Sequence, residues 1–199
     1  MSVMAGGFTY GETYDSYTDL AIGTTNAVNQ LVVDGSFSAD VKVTTTFIST
    51  NVLRNVALGL RLEEESDAYS GNWCNGYTGY QCVLELVASN DDDVADYNIE
   101  IKLCDDSVSD IDESSSSWTI DLGSEYIMTF EMYGDTLTCS VADADGNEEA
   151  SFSITDSTYD REGTASVGSY YATTYFADFE ACDATPEPSV APTLNPTLE

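Results

Sequence analysis

The side chains that could do chemistry in this 199-residue chain are carboxylates, thiols and aromatic rings, because the sequence contains no histidine. Without histidine the chain cannot build a Ser-His-Asp or Cys-His nucleophile, or a histidine-ligated zinc site. Hydrolysis would then need two carboxylates, as in glycosidases. With 36 acidic residues, some carboxylates must lie close together by chance, so proximity alone does not indicate catalysis. We therefore expect no catalytic residues.

The charge balance excludes two classes of partner. Only five residues are basic, and the formal net charge is -31. Such a chain repels nucleic acid and anionic lipid, and its self-repulsion must be screened by salt or relieved by bound cations. No segment approaches the roughly 20 consecutive apolar residues that would span a bilayer. We expect neither nucleic-acid binding nor membrane insertion.

The cysteines favour an oxidising compartment, because zinc or haem ligation is improbable without histidine. Cys74 and Cys82 bracket the glycine-rich segment CNGYTGYQC, and a disulfide could close this short loop. Cys104 and Cys139 lie in separate predicted strands and could pair across a sheet. Cys182 is then left without a partner. A secreted or cell-surface protein is the favoured prediction, and a cytosolic chain with reduced, buried thiols is the alternative.

Hydrophobic residues recur with a period of two along most of the chain, which is typical of strands with one buried side. The pattern is clear in residues 37–47, 56–62, 97–103, 126–133 and 136–142. Turn signals such as Gly134-Asp135 and Asp145-Gly146 separate these segments at regular spacing. About ten short strands with polar turns predict an all-β fold, a two-sheet antiparallel β-sandwich of the jelly-roll type.

The predicted sandwich occupies residues 1–183, and residues 184–199 form a Pro/Thr-rich tail. Proline cannot donate a hydrogen bond to a sheet, so the tail ATPEPSVAPTLNPTLE is predicted to stay extended. Similar tails occur as linkers in secreted algal, especially diatom, surface proteins. The folded unit is expected to end near Cys182.

Two clusters of aromatic residues are candidates for ligand binding. Trp73, Tyr77 and Tyr80 lie in or beside the glycine-rich cysteine loop, and Tyr170 and Tyr171 lie late in the chain. Aromatic rings with polar tips suit stacking against sugars, and loops on a rigid sandwich often carry binding sites. The alternative is that these tyrosines pack sheet surfaces. Trp118, at the start of a strand, is predicted to be a core residue.

The segment DADGNEE, residues 143–149, has alternating carboxylates and a glycine, as calcium loops do. It fails the EF-hand spacing, because Ile154 stands where the bidentate glutamate should be. An Asp-Gly hairpin turn between two strands is the favoured interpretation.

The second half of the chain resembles a concanavalin A-like (LamG-like) jelly-roll domain. The resemblance is a pattern of a tryptophan, a strand, a Gly-x-x-Leu turn, an Asp-Gly turn and a closing aromatic strand with an aspartate. The residues that carry it are Trp118, Gly134, Leu137, Asp145, Gly146, Asp156, Gly163, Gly168, Phe176 and Asp178. The β-glucan hydrolases of this fold carry a Glu-x-Asp-x-x-Glu strand, which is absent here.

The resemblance also implies a structural Ca²⁺. In similar carbohydrate-binding jelly rolls this ion ties an aspartate of the closing strand to the N-terminal segment. Asp178 is the matching aspartate, and Glu12 and Asp15 supply oxygen ligands of the type that Ca²⁺ takes. The alternative is a solvated aspartate on an edge strand.

Together these observations predict a secreted, non-catalytic binding or adhesion module, with a glycan or an extracellular matrix component as its partner. A structural subunit of an extracellular wall or filament, which would self-associate through sheet edges, is the first alternative. A glycoside-active enzyme with paired carboxylates is the second.

Overall fold

A computed structural model shows an all-β architecture throughout the part of the chain that it describes. The described residues are 2–3, 9–10, 21–22, 28–32, 36–49, 55–64, 76–91, 94–105, 108–113, 118–170 and 174–184. Among these residues no helix is long and apolar enough to cross a membrane. The predicted fold class is confirmed.

The strands form two antiparallel sheets. In chain order the strands are β1 (Ser2–Val3), β2 (Thr9–Tyr10), β3 (Ala21–Ile22), β4 (Val28–Val32), β5 (Val41–Ser49), β6 (Asn55–Glu64), β7 (Tyr77–Asp91), β8 (Val94–Cys104), β9 (Val108–Glu113), β10 (Trp118–Asp121), β11 (Glu125–Tyr133), β12 (Thr136–Asp143), β13 (Glu148–Thr155), β14 (Thr164–Tyr170) and β15 (Thr174–Asp183). The eight-stranded sheet has the order β1-β4-β14-β6-β7-β8-β10, with β9 also paired to β8. The seven-stranded sheet has the order β13-β12-β11-β5-β15-β3-β2.

Two predicted turns connect the hairpins of the seven-stranded sheet. Gly134 and Asp135 join β11 to β12, and the positive φ of Gly134, 56°, suits glycine. At the next turn Asp143 accepts hydrogen bonds from the backbone N–H groups of Asp145 and Asn147, at 3.0 and 2.8 Å. These bonds lower the pKa of Asp143, together with a bond from the Asn147 side chain that contributes most. The carboxylate of DADGNEE therefore holds a hairpin, as the favoured interpretation predicted.

The core lies between the two sheets and is built from every second residue of each strand. On β11 the buried residues Tyr126, Met128, Phe130 and Met132 alternate with half-buried ones. Trp118 of the eight-stranded sheet packs edge-on against Tyr126 of the other sheet, with ring centroids 5.1 Å apart. The prediction that Trp118 is a core residue is confirmed.

A disulfide crosses this core, and it is not one of the predicted pairs. Cys82 on β7 is bonded to Cys139 on β12, with both side chains buried. The predicted pairs Cys74–Cys82 and Cys104–Cys139 are therefore wrong. Period-two patterning explains the outcome, because both cysteines occupy inward positions on strands of opposite sheets, whereas a loop-closing bond would need Cys82 to face the loop. Cys104 is disulfide-bonded as well, and Cys182 is free and exposed.

Arg61 anchors the loops at one end of the sandwich. It lies in a bulge of β6 with a positive φ of 51°, and its side chain is fully buried. The guanidinium donates to the backbone carbonyls of Ala39 (2.7 Å), Tyr159 (2.5 Å) and Gly134 (3.1 Å). Desolvation lowers the pKa of Arg61, and the nearby Asp160 carboxylate opposes this effect. One side chain thus ties together three loop segments that are distant in sequence.

A β-bulge on β15 changes which residues of the closing strand face the core. The register with β5 shifts between Ala177 and Glu180, and Asp178 has a positive φ of 50°. Phe176 is buried before the bulge, whereas Phe179 packs against the core after it. Strict alternation predicted that Phe179 shares a face with Tyr175, and the extra residue of the bulge removes that relation.

Candidate functional site

The eight-stranded sheet has a second face, turned away from the inter-sheet core, which we call the distal face. It consists of Val32, Gln30, Ser166, Gly168, Gly59, Ala57, Tyr77, Gln81, Val83, Glu100 and Lys102. Directly paired residues of an antiparallel ladder project to the same side. The register aligns Ser166, Gly59, Gln81 and Lys102 in one row across β14, β6, β7 and β8. The neighbouring row of the ladder, from Val167 through Cys82, belongs to the core.

A second row of the distal face runs parallel to the first. It joins Gln30, Gly168, Ala57, Val83 and Glu100 across the same sheet. Glycine and alanine thus occupy the middle strands of both rows, with longer polar side chains on either side. Small residues on a sheet are typical of places where a ligand or another backbone approaches closely.

The polar side chains of the distal face are buried although they lie outside the core. Gln30 is 3% exposed and donates through Nε2 to Ser166 Oγ at 3.0 Å. Its other amide atom, Oε1, has no hydrogen-bond partner. The hydroxyl of Tyr77 is also without one, and this side chain is 5% exposed. A buried polar atom without a partner costs about 1–3 kcal/mol and requires an explanation.

Tyr77 lies in a small apolar cluster on the distal face. The cluster contains Val32, Leu62 and Tyr77, and it is separate from the main core. Desolvation raises the pKa of Tyr77, with a smaller contribution from the charge of Glu64. The phenol is therefore neutral over the physiological range, where it can donate or accept a hydrogen bond.

At the other side of the distal face, Lys102 contacts two glutamates. Its Nζ lies 2.5 Å from Glu100 Oε2 and 3.2 Å from Glu85 Oε2. Glu100 and Lys102 are nearly fully buried, whereas Glu85 is partly exposed. Burial is the largest cause that raises the pKa of Glu100 to about 7; a hydrogen bond with Glu85 adds to the rise, and Lys102 opposes it. Near neutral pH the Glu100 carboxyl is therefore only partly ionised beside the Lys102 ammonium.

The structure places the predicted aromatic site residues in different parts of the fold. Tyr77 lies on the distal face. Tyr80 is fully buried between the sheets and donates to Asp156 Oδ1 at 2.5 Å. Its hydroxyl also accepts the Tyr159 N–H at 2.9 Å, so its ring and tip are both occupied within the core. Trp73 and Tyr171 lie outside the described residues, as does the side chain of Tyr170.

The predicted calcium ligands are not brought together in the described part of the chain. Asp178 is exposed at the β15 bulge, and Glu12 and Asp15 lie outside the described residues. Among the described residues there is no group of three or more acidic, cysteine or histidine side chains that could hold a metal ion. The calcium site stays a prediction.

Sequence reasoning missed Gln30, Gln81, Glu100 and Lys102 as candidate site residues. Their signal was present in the alternation itself, since Glu100 and Lys102 are the polar positions between Ile99, Ile101 and Leu103. Alternation assigned such positions to a solvated face. Their burial was not predictable, because it depends on how the whole sheet is arranged.

Comparison with solved structures identifies lectins and carbohydrate-binding modules of similar fold. A basic winged bean lectin with Tn-antigen is 8% identical, with a TM-score of 0.60 over 82% of this chain and 86% of the lectin. The carbohydrate-binding module CBM66 from Bacillus subtilis is 18% identical, with a TM-score of 0.57 over 88% and 91%. The exoplasmic/lumenal domain of VIP36, in a form bound to Ca²⁺ and Man3GlcNAc, is 12% identical, with a TM-score of 0.55 over 87% and 82%.

At these identities the likeness establishes the fold alone, which is a lectin-like β-sandwich. Comparisons with protein-family models and with curated protein sequences find no match.

Proposed function

We propose that the chain is a non-catalytic carbohydrate-binding module that holds a glycan on the distal face. The observation that carries the proposal is the pair of buried polar atoms without partners, Gln30 Oε1 and Tyr77 Oη, on the distal face. Sugar hydroxyls can donate to the amide oxygen and exchange hydrogen bonds with the phenol. The structurally similar proteins include a carbohydrate-binding module, a lectin and a glycan-bound domain, which supports the same proposal.

Glycine on the distal face lets side chains of neighbouring strands pack closely over the sheet. A Cβ on Gly59 would lie 2.5 Å from Ser166 Oγ and 2.7 Å from Leu62 Cδ1, so even alanine would disturb both contacts. A pyranose ring offers apolar faces for the Tyr77 ring and hydroxyls for its rim. This combination of an apolar ring and convergent polar groups is typical of ligand sites.

The decisive experiment is a glycan array with the wild type and with Gln30→Ala, Gln81→Ala and Tyr77→Phe. We expect each substitution to weaken binding of a common set of glycans. Ser153→Ala, on the outer side of β13, is the matched control and should bind as the wild type does. Thermal melting of every variant distinguishes the alternative, because a purely structural polar layer would lower stability without changing the glycans bound.

Catalysis is disfavoured by the contacts of the best carboxylate pair. Glu85 and Glu100 both contact the Lys102 ammonium, which neutralises the charge that a nucleophile or base would need. A reducing-end assay on soluble polysaccharides tests this point, and release of sugars that Glu100→Gln abolishes would establish a hydrolase instead.

Secretion and calcium belong to the same proposal. Two disulfide-bonded cysteines in a buried bridge suit an oxidising, extracellular compartment. The acidic surface suits bound cations, and a calcium ion at Asp178 with Glu12 and Asp15 would join the closing strand to the N-terminal segment.

A further inference from the structure

The basic residues of the described chain are all engaged by other groups of the protein. Arg61 is buried against three carbonyls, and Arg161 lies 2.8 Å from Glu63. Lys42, on the outer side of the seven-stranded sheet, lies 3.8 Å from Glu131. Lys102 contacts two glutamates. An anionic ligand therefore meets no uncommitted cation among the described residues.

On the distal face this engagement is most complete. Lys102 is the basic residue of that face, and it is held by Glu100 and Glu85 at contact distance. A carboxylate or sulfate of a ligand would have to displace a glutamate from Lys102 in a poorly hydrated setting, where like charges repel strongly.

We propose that the distal face selects uncharged glycans and rejects those that carry carboxylate or sulfate groups. This inference rests on the proposed function and names the class of ligand that the site takes. Such selection depends on repulsion as much as on attraction. Glu85 and Glu100 already contact Lys102, the cation that an anionic ligand would otherwise bind. The raised pKa of Glu100 agrees with this, because burial, its largest cause, disfavours a negative charge on this face.

The test uses pairs of glycans that differ only in charge. Hexaoses of glucose, mannose and galactose are immobilised beside their uronate twins, in which C6 is oxidised to a carboxylate. Binding is measured in roughly 0.3 M NaCl, where the Debye length is below about 8 Å and the net charge of the protein is screened. We expect the wild type to bind at least one neutral hexaose about tenfold more tightly than its uronate twin.

The double variant Glu85→Gln/Glu100→Gln frees the Lys102 charge and should increase binding to the uronate twin about tenfold. Glu131→Gln/Glu149→Gln removes the same number of carboxylates from the seven-stranded sheet, including the one beside Lys42, and should leave the preference unchanged. If the first double variant fails to fold, Lys102→Met replaces it. Under the proposal the wild type binds no uronate through Lys102, so Lys102→Met should bind the uronate twin no more weakly than the wild type does.

The outcomes separate the two proposals. Equal or tighter binding of a uronate by the wild type, weakened by Lys102→Met, overturns the charge selection and leaves carbohydrate binding intact. If the wild type prefers the neutral twin and neither double variant changes this preference, the selection does not depend on Glu85 and Glu100. That outcome also overturns the inference. Absence of binding to any hexaose or uronate overturns the proposed function itself.

Discussion

Replacement of Glu100 by glutamine should change how stability depends on pH. The folded-state pKa of Glu100 is raised from 4.5 to about 7, with burial as the main cause. The folded protein therefore keeps this proton at pH values where the unfolded chain has released it. The resulting stabilisation is complete below about pH 4.5 and is lost as the pH rises through about 7. Glutamine carries no such titration, so Glu100→Gln should not lose it.

The magnitude follows from the two pKa values. Between about pH 5 and pH 8 the wild type should lose about 2–3 kcal/mol relative to Glu100→Gln, from 1.36 kcal/mol per pKa unit. For a chain of this size that corresponds to a relative shift in Tm of roughly 5–10 °C. The lysine remains paired with Glu85 in the variant, at 3.2 Å.

Urea denaturation or thermal melting of both proteins at the two pH values measures how the stability difference between wild type and Glu100→Gln changes with pH. Carboxylates remote from Lys102 titrate equally in both proteins and cancel, whereas the titration of Glu85, which is hydrogen-bonded to Glu100, belongs to the measured difference. Glu131→Gln, at a partly exposed ion pair, is the control and should follow the wild type. If the difference between wild type and Glu100→Gln is the same at both pH values, the reasoning from burial is wrong. If the wild type gains on the variant at high pH, the ion pair with Lys102 outweighs desolvation.

Four further predictions concern stability. Cys82→Ala/Cys139→Ala should lower the free energy of unfolding by about 4 kcal/mol in the chain-entropy description, for a sequence separation of 57, whereas Cys182→Ala should not; urea denaturation measures both. Arg61→Met should cost at least about 3 kcal/mol in the same assay, because three carbonyls lose their donor, and Lys42→Met should cost less than about 1 kcal/mol. Gly163→Ala should lower Tm, since its Cβ would lie 2.5 Å from the backbone of Arg61; an unchanged Tm would contradict this packing. A chelator should lower Tm at low salt if calcium is bound at Asp178, and an unchanged Tm would refute that proposal.

Period-two alternation was sufficient to predict the two-sheet fold, because an inward position on one strand must meet an inward position on another. It correctly placed Trp118 in the core and the turn at Gly134. It could not predict the disulfide, since the pairing of Cys82 with Cys139 depends on which strands face each other across the core. Nor could it predict the β15 bulge, where one extra residue reverses the alternation around Asp178.

The candidate site was less accessible to sequence reasoning. Tyr77 was chosen as a loop aromatic, and the structure places it instead at the start of β7, on the distal face. Tyr80, three residues later, lies on the opposite side of the same strand and is a core residue. The burial of the charged pair Glu100–Lys102 is not predictable from the sequence, because a local pattern cannot distinguish a polar residue in water from one that is buried away from the core.

The bond between Cys82 and Cys139 has a mechanical consequence. It joins the two layers covalently, so tension applied to the ends of the chain bypasses the strands between the two cysteines. With a separation of 57 residues, about 200 Å of contour length stays locked when the rest is stretched. When its ends are pulled, the folded unit would therefore extend in a shorter step. Reduction of the disulfide would lengthen that step in a force-extension trace.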